Sequence, residues 1–197
     1  MNRHGAEWMK PDFRDRESAM TLCQADRSTL LIIDLQARLM PAIHDGDGVV
    51  RRCVQLATAA RELHIPVIGT EENPDGLGPN VTAIRTLCDT TLAKFCFSAV
   101  AEPGFLEQLP AGRETLIVAG CEAHVCVMQT VARLLEAGRP VKWVSDAVGS
   151  RRAFDRDAAT ARARALGADI VTTEMVLFEW LETCRHPAFR SVLQLMR

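Results

Sequence analysis

From Thr29 onward, short runs of Ile, Leu and Val recur between longer amphipathic stretches, and this alternation constrains the fold more than any other feature of the chain. The runs are Leu30-Leu31-Ile32-Ile33, Ile65-Pro66-Val67-Ile68, Leu116-Ile117-Val118, Val141-Lys142-Trp143-Val144 and Asp169-Ile170-Val171, with Thr91-Leu92 ahead of Lys94 as a weaker sixth. Between them, residues 49–63, 125–137 and 155–166 have helical periodicity and end at Gly, Pro or a polar turn. Strands that are apolar on both faces and separated by helices belong to a parallel sheet covered on both sides, because each parallel crossover takes a dozen or more residues. The expectation is therefore an α/β protein, a three-layer α/β/α domain. Residues 173–197 read as one or two terminal helices packing Phe178, Trp180, Phe189 and Leu193.

At roughly 150 residues per domain, a chain of 197 residues predicts one domain, spanning 28–197. Residues 1–27 are polar and unpatterned and read as a surface leader; their acidic residues and lack of an apolar core argue against a signal peptide. No apolar stretch approaches the length of a membrane span. With 23 basic residues against 25 acidic ones and no basic block interleaved with aromatics, nucleic acid is not an expected partner. The seven cysteines are odd in number, irregularly spaced and set in apolar segments, which predicts reduced thiols and a cytoplasmic protein. None of them forms a CxxC pair, so no structural zinc is expected.

In open parallel sheets ligands bind beyond the carboxyl ends of the strands, so polar residues that directly follow an apolar run are the candidates for chemistry. Asp34 follows the first run; it would present a rigidly held carboxylate, or cap the next helix. Lys94 stands among Phe and Cys residues in a chain with only three lysines, the others being Lys10 and Lys142. A partly desolvated lysine can shift its pKa and trade a proton, whereas a surface lysine merely covers apolar neighbours with its stem. Cys126 lies just past the third strong run, where residues 121–130 turn from strand into helix. Unpaired N–H groups at a helix start favour a thiolate and would also bind an oxyanion; the alternative is a small buried hydrophobe. His124, two residues away, points to a different helical face and is a poor base for Cys126. Asp34, Lys94 and Cys126 together make an acyl-transfer constellation in which a carboxylate takes the thiol proton and an ammonium favours both anions.

The segments Leu31-Ile32-Ile33-Asp34-Leu35-Gln36, Lys94 ahead of Phe97-Ser98-Ala99, and Gly120-Cys121-Glu122-Ala123-His124-Val125-Cys126 resemble the isochorismatase-like cysteine hydrolases. The likeness runs from about Thr29 to the C-terminus and is closest to the small isochorismatase-domain-containing subgroup, related to nicotinamidases and N-carbamoyl amidases. It implies a six-stranded parallel sheet of Rossmann-like topology, an Asp34–Lys94–Cys126 triad, an oxyanion hole from the backbone N–H groups of Glu122 and Cys126, and a cis peptide between Cys121 and Glu122. The implied reaction is attack of the cysteine on a carbonyl, departure of ammonia or an amine, and hydrolysis of the thioester by water.

Nicotinamidases of that family hold a metal with an Asp-x-His pair after the second strand. Here Ile68-Gly69-Thr70-Glu71-Glu72-Asn73 has no histidine, so neither a catalytic metal nor any other cofactor is expected. Gln36, Thr70, Glu71, Phe97, Glu122 and His124 are the candidate substrate contacts, chosen because they lie at strand ends beside the triad. The expectation is a cytoplasmic hydrolase of a small amide, ester or related carbonyl substrate, self-associating as a dimer or larger. The alternative is a binding or scaffold protein that keeps the fold without the activity. A redox pair of Cys121 and Cys126 ranks lower, because the spacing need not bring the sulfurs together.

Overall fold

The computed structural model describes residues 22–196. Among them, six strands form one sheet in the order β3-β2-β1-β4-β5-β6, with every neighbouring pair parallel. They are β1 (Ser28–Ile33), β2 (Val67–Glu72), β3 (Thr90–Lys94), β4 (Thr115–Cys121), β5 (Val141–Gly149) and β6 (Asp169–Val171). The helices are α1 (Gly46–Glu62), the short α2 (Pro74–Leu77) and α3 (Thr82–Arg85), α4 (Met128–Glu136), α5 (Ala153–Leu166), α6 (Thr173–Leu181) and α7 (Phe189–Leu195). This is the expected three-layer α/β fold.

β1 is buried along its whole length because both of its faces are covered. Leu30 and Ile32 join one core with Leu56 of α1, Trp180 of α6 and Val192 of α7, while Leu31 and Ile33 join a second with Val131 of α4 and Ala163 of α5. β3 is an edge strand, and Lys94 alone among its five residues is buried, which explains why its apolar signal is weak. β5 runs five residues past the apolar stretch at 141–144. The polar residues that interrupt its apolar pattern are used in the fold: Ser145 Oγ donates to the Val171 carbonyl at 2.9 Å, and Asp146 Oδ1 accepts from Thr173 N–H at 2.7 Å. α5 stops at Gly167, whose φ of 104° suits a glycine in the left-handed region.

The leader boundary at residue 27 falls inside packed structure. Cys23 is fully buried and its N–H donates to Glu179 Oε2 at 2.7 Å, while Trp180 Nε1 donates to Ser28 Oγ at 3.1 Å, so residues 22–27 dock on α6. The remainder of the expected leader, residues 1–21, lies outside the described residues. No helix among the described residues is long and apolar enough to cross a membrane.

The strand order fixes where a ligand can sit. β1 and β4 are neighbours, yet the chain leaves β1 towards α1 on one face and leaves β4 towards α4 on the other. Their carboxyl ends therefore open a crevice at the switch point of the sheet.

Candidate functional site

Asp34 is the first residue beyond β1 and takes a positive φ of 48°, while its N–H donates to the Thr70 carbonyl of β2 at 3.2 Å. Beside it Gly120, opposite Ile33 in the sheet, has φ 118°. A Cβ on Gly120 would lie 2.1 Å from the Ile33 carbonyl oxygen, so only glycine lets the ends of β1 and β4 approach this closely.

Alternation along β2 then selects the side chains that reach the crevice. Thr70 Oγ1 donates to Asp34 Oδ1 at 2.7 Å, and two residues on, Glu72 Oε2 accepts from Lys94 Nζ at 2.7 Å. Lys94 closes the arrangement from the end of β3. Its ammonium is 2.7 Å from Asp34 Oδ2, and it also donates to the Phe97 carbonyl at 3.2 Å. Glu102 Oε1 accepts from the N–H groups of Phe95 and Cys96, both at 2.7 Å, which fixes the loop that carries that carbonyl.

The third side chain comes from the exit of β4. The Cys121–Glu122 peptide is cis, and Ala123–Val127 form a π-helical turn before α4 begins. In that turn the Glu122 carbonyl accepts from Val125 N–H at 3.0 Å and Val127 N–H at 3.2 Å. Cys126 Sγ reaches the carboxylates: the sulfur and one oxygen each of Asp34 and Glu72 all lie within 4.8 Å of one another. Asp34, Lys94 and Cys126 thus converge as the sequence suggests, and Cys126 keeps 7% of its surface accessible.

The electrostatics differ from the expectation in two respects. The Cys126 thiol is pushed up to about 12, first by burial and then by the Asp34 charge, with Lys94 pulling the other way. A helix start does not yield a thiolate here, because desolvation and two carboxylates outweigh the N–H groups. Lys94 loses to burial but gains more from the charge and hydrogen bond of Asp34 and from the bond to Glu72, so it sits above the ordinary lysine range. It is held as a cation rather than tuned to trade a proton.

The expected substrate contacts divide by what their side chains already do. Gln36 is fully buried and braces backbone: Nε2 donates to the carbonyls of Glu72 (2.9 Å) and Gly78 (2.6 Å), and Oε1 accepts from Glu72 N–H (2.9 Å). Glu71 turns to the opposite face of β2 from Glu72 and accepts from Asn80 N–H at 2.7 Å. Neither presents a free side chain to a ligand. Thr70 orients Asp34, Phe97 is 53% exposed at the rim, His124 Nδ1 pairs with Ser150 Oγ at 3.0 Å, and Glu122 Oε2 accepts from Arg151 N–H at 3.1 Å and Nε at 3.0 Å. Glu72 was missed by the sequence reasoning. The signal was available, because period-two alternation from Thr70 selects Glu72 and not Glu71.

Asp34, Glu72 and Cys126 also offer three donor atoms close enough for a metal ion. Lys94 bonds both carboxylates and supplies between them the positive charge that a cation would bring, so the donor set fits an ion-paired cluster instead. A small cavity of about 100 Å³ opens beside Thr70 and Lys94, walled by Leu92, Ala99 and Phe105. A wider depression of about 440 Å³ by Glu62, His64 and His186 lies at the C-terminus of α1, away from these side chains.

Comparison with known proteins bears on the family and the fold. The isochorismatase domain matches residues 28–175. Isochorismatase domain-containing protein 2 of Danio rerio is 36% identical over 170 residues, covering 86% of this chain and 86% of that protein. Among solved structures, the MAR1 ribonuclease of Caenorhabditis elegans superposes with a TM-score of 0.84 at 34% identity, covering 89% of this chain and 92% of the other. YcaC of Pseudomonas aeruginosa, solved with hexane-2,5-diol and covalent acrylamide, gives a TM-score of 0.83 at 28% identity with the same two coverages.

Proposed function

The chain belongs to the isochorismatase family, and from that premise we propose that it is a cysteine hydrolase that cleaves a small amide, ester or related carbonyl compound through a thioester on Cys126. The observation that carries the reading is the single carboxylate of Asp34, which ion-pairs with Lys94 through one oxygen and accepts from Thr70 Oγ1 with the other while lying within reach of the Cys126 sulfur.

At rest the thiol keeps its proton and the charges are the carboxylates of Asp34 and Glu72 and the ammonium of Lys94. As Cys126 Sγ attacks the carbonyl carbon, its proton passes to Asp34, and the carbonyl π electrons move onto oxygen. The backbone N–H groups of Glu122 and Cys126 are the donors we assign to that oxyanion. Collapse re-forms the carbonyl, expels the amine or alcohol with the proton from Asp34, and leaves a thioester. Water then attacks; Asp34 takes its proton and returns it to the departing sulfur. Lys94 stays protonated throughout and holds Asp34 in place, so the general base is a carboxylate whose basicity the substrate's arrival must exploit. Of the candidate contacts, Phe97, His124 and Glu122 remain at the rim for substrate, whereas Gln36 and Glu71 act on the scaffold.

Intact-mass measurement of wild type and Cys126→Ala after mixing with a panel of small amides and esters tests the reading. An acyl adduct confined to wild type is expected; equal labelling of both proteins would overturn it. Self-association belongs to the same reading, since Phe95 and Phe97 beside Lys94 are 70% and 53% exposed and a second copy would cover them. Sedimentation velocity decides this, and a monomer at assay concentration removes it.

A further inference from the structure

Glu72 takes no part in the steps of the proposed reaction, yet it is buried within 4.8 Å of the reacting sulfur. Its presence changes the charge sum. Asp34 and Glu72 contribute two negative charges and Lys94 one positive charge, with Cys126 a neutral thiol. Moving the thiol proton to Asp34 leaves the total unchanged, because sulfur gains the charge that the carboxylate loses. The tetrahedral intermediate carries the same charge on the substrate oxygen. One negative charge is therefore in excess at every stage.

Among the described residues, the charged groups on the neighbouring elements do not cancel it. β2 adds Glu71 on its far face, bonded to Asn80 N–H, and the loop after β3 adds Glu102, bonded to Phe95 and Cys96 N–H. The turn after β4 presents His124, paired with Ser150, and Glu122. Arg151, beyond β5, is 60% exposed and ion-paired with that Glu122, so the two offset each other.

We propose that Glu72 is a specificity-determining residue, whose charge makes this crevice accept uncharged acyl compounds and reject those bearing a carboxylate next to the reacting carbon. The proposal rests on the cysteine-hydrolase reading, since it assigns that site its substrate class. A charge a few ångströms away, through an effective dielectric near 20, alters relative rates by on the order of 10- to 100-fold.

The test compares two alkylating agents of nearly equal size, neutral iodoacetamide and anionic iodoacetate, at pH 9, with labelling of each cysteine read by peptide mass spectrometry. Both reagents consume the same thiolate, so their rate ratio on one sulfur cancels its pKa. Exposed Cys184 of the same chain and free N-acetylcysteine amide show the preference of an unshielded thiol. Cys126 is expected to favour iodoacetamide roughly 10- to 100-fold more strongly than these two thiols do, and Glu72→Gln is expected to return most of that factor. A wild-type ratio at Cys126 equal to that at Cys184 overturns the proposal, as does a ratio that Glu72→Gln leaves unmoved. Should Glu72→Gln fail to fold, a wild-type ratio equal to that at Cys184 still overturns the proposal, and Glu72→Met is the second variant in which the ratio must fall. Alkylation needs no turnover, so absence of an acyl adduct with amides would sink the hydrolase reading while leaving this ratio to be judged separately.

Discussion

The sheet carries two buried lysines, one at each end, and they illustrate how little a residue's identity says about its task. Lys94 and Lys142 are each 1% exposed, and each lies 2.7 Å from a carboxylate. Lys142 is the second residue of β5, opposite Asp169 at the start of β6, so its ion pair joins two strands at their amino ends. Asp169 is 36% exposed and keeps contact with water. Lys94 lies at a carboxyl end, and the oxygens it holds, on Asp34 and Glu72, belong to side chains that are 1% and 11% exposed. Lys142 fastens a sheet edge to solvent-facing charge. Lys94 collects two desolvated anions around a thiol, where their field can act on a reaction.

The sharpest way to break this contrast is to remove each ammonium in turn. Lys94→Met leaves two buried carboxylates unpaired, which costs about 3–5 kcal/mol, and is expected to lower turnover by on the order of 10³-fold, because Asp34 loses its orientation. Lys142→Met strands a carboxylate that can rehydrate, so the loss is about 1–3 kcal/mol, with turnover within about threefold of wild type. Denaturant melts and steady-state rates on any substrate found by the mass screen read both effects. Equal loss of activity in the two variants would mean that the end of the sheet does not matter.

A second test concerns the field itself. With burial and Asp34 pushing the Cys126 thiol up to about 12, its thiolate fraction grows about tenfold per pH unit at any lower pH. Alkylation of Cys126 by iodoacetamide should therefore rise log-linearly from pH 7 to 10 without a plateau. A plateau near neutrality would show an activated thiolate, the state that the strand-to-helix turn suggests from sequence. Thr70→Val comes next in size: it removes the 2.7 Å bond to Asp34 Oδ1 while keeping the volume, and loss of one such bond to a charged group lowers turnover by roughly tenfold.

How much of this was legible follows from the reach of each interaction. The strands at 30–33, 116–118 and 141–144 were legible because full burial makes them continuously apolar, and the chain order of the sheet was implied by family resemblance rather than by pattern. Asp34, Lys94 and Cys126 were legible as polar residues at the ends of such runs. Their protonation states were not, because these depend on which other charges the fold brings within a few ångströms, and Glu72 is 22 residues from Lys94 in sequence. Gln36 shows the converse. It is adjacent to the site in sequence, but folding turns both ends of its amide onto the backbone of Glu72 and Gly78. The same limit hid the docking of Cys23 on α6, which pairs residues 156 apart.

The smallest expected effect concerns the choice between neighbours on β2. Glu71 and Glu72 have the same side chain and adjacent positions, and differ in which face of the strand they occupy. Glu71→Gln keeps an oxygen to accept from Asn80 N–H and removes a charge that never faced Lys94, so turnover should stay within about twofold and stability within about 0.5 kcal/mol. Glu72→Gln removes one of the two anions that hold the Lys94 ammonium, and should change both the reagent preference of Cys126 and the pH at which its alkylation reaches a given rate. If the two substitutions acted alike, closeness along the chain would explain their influence, and the separation of faces that admits only one of them to the Lys94 cluster would carry no weight.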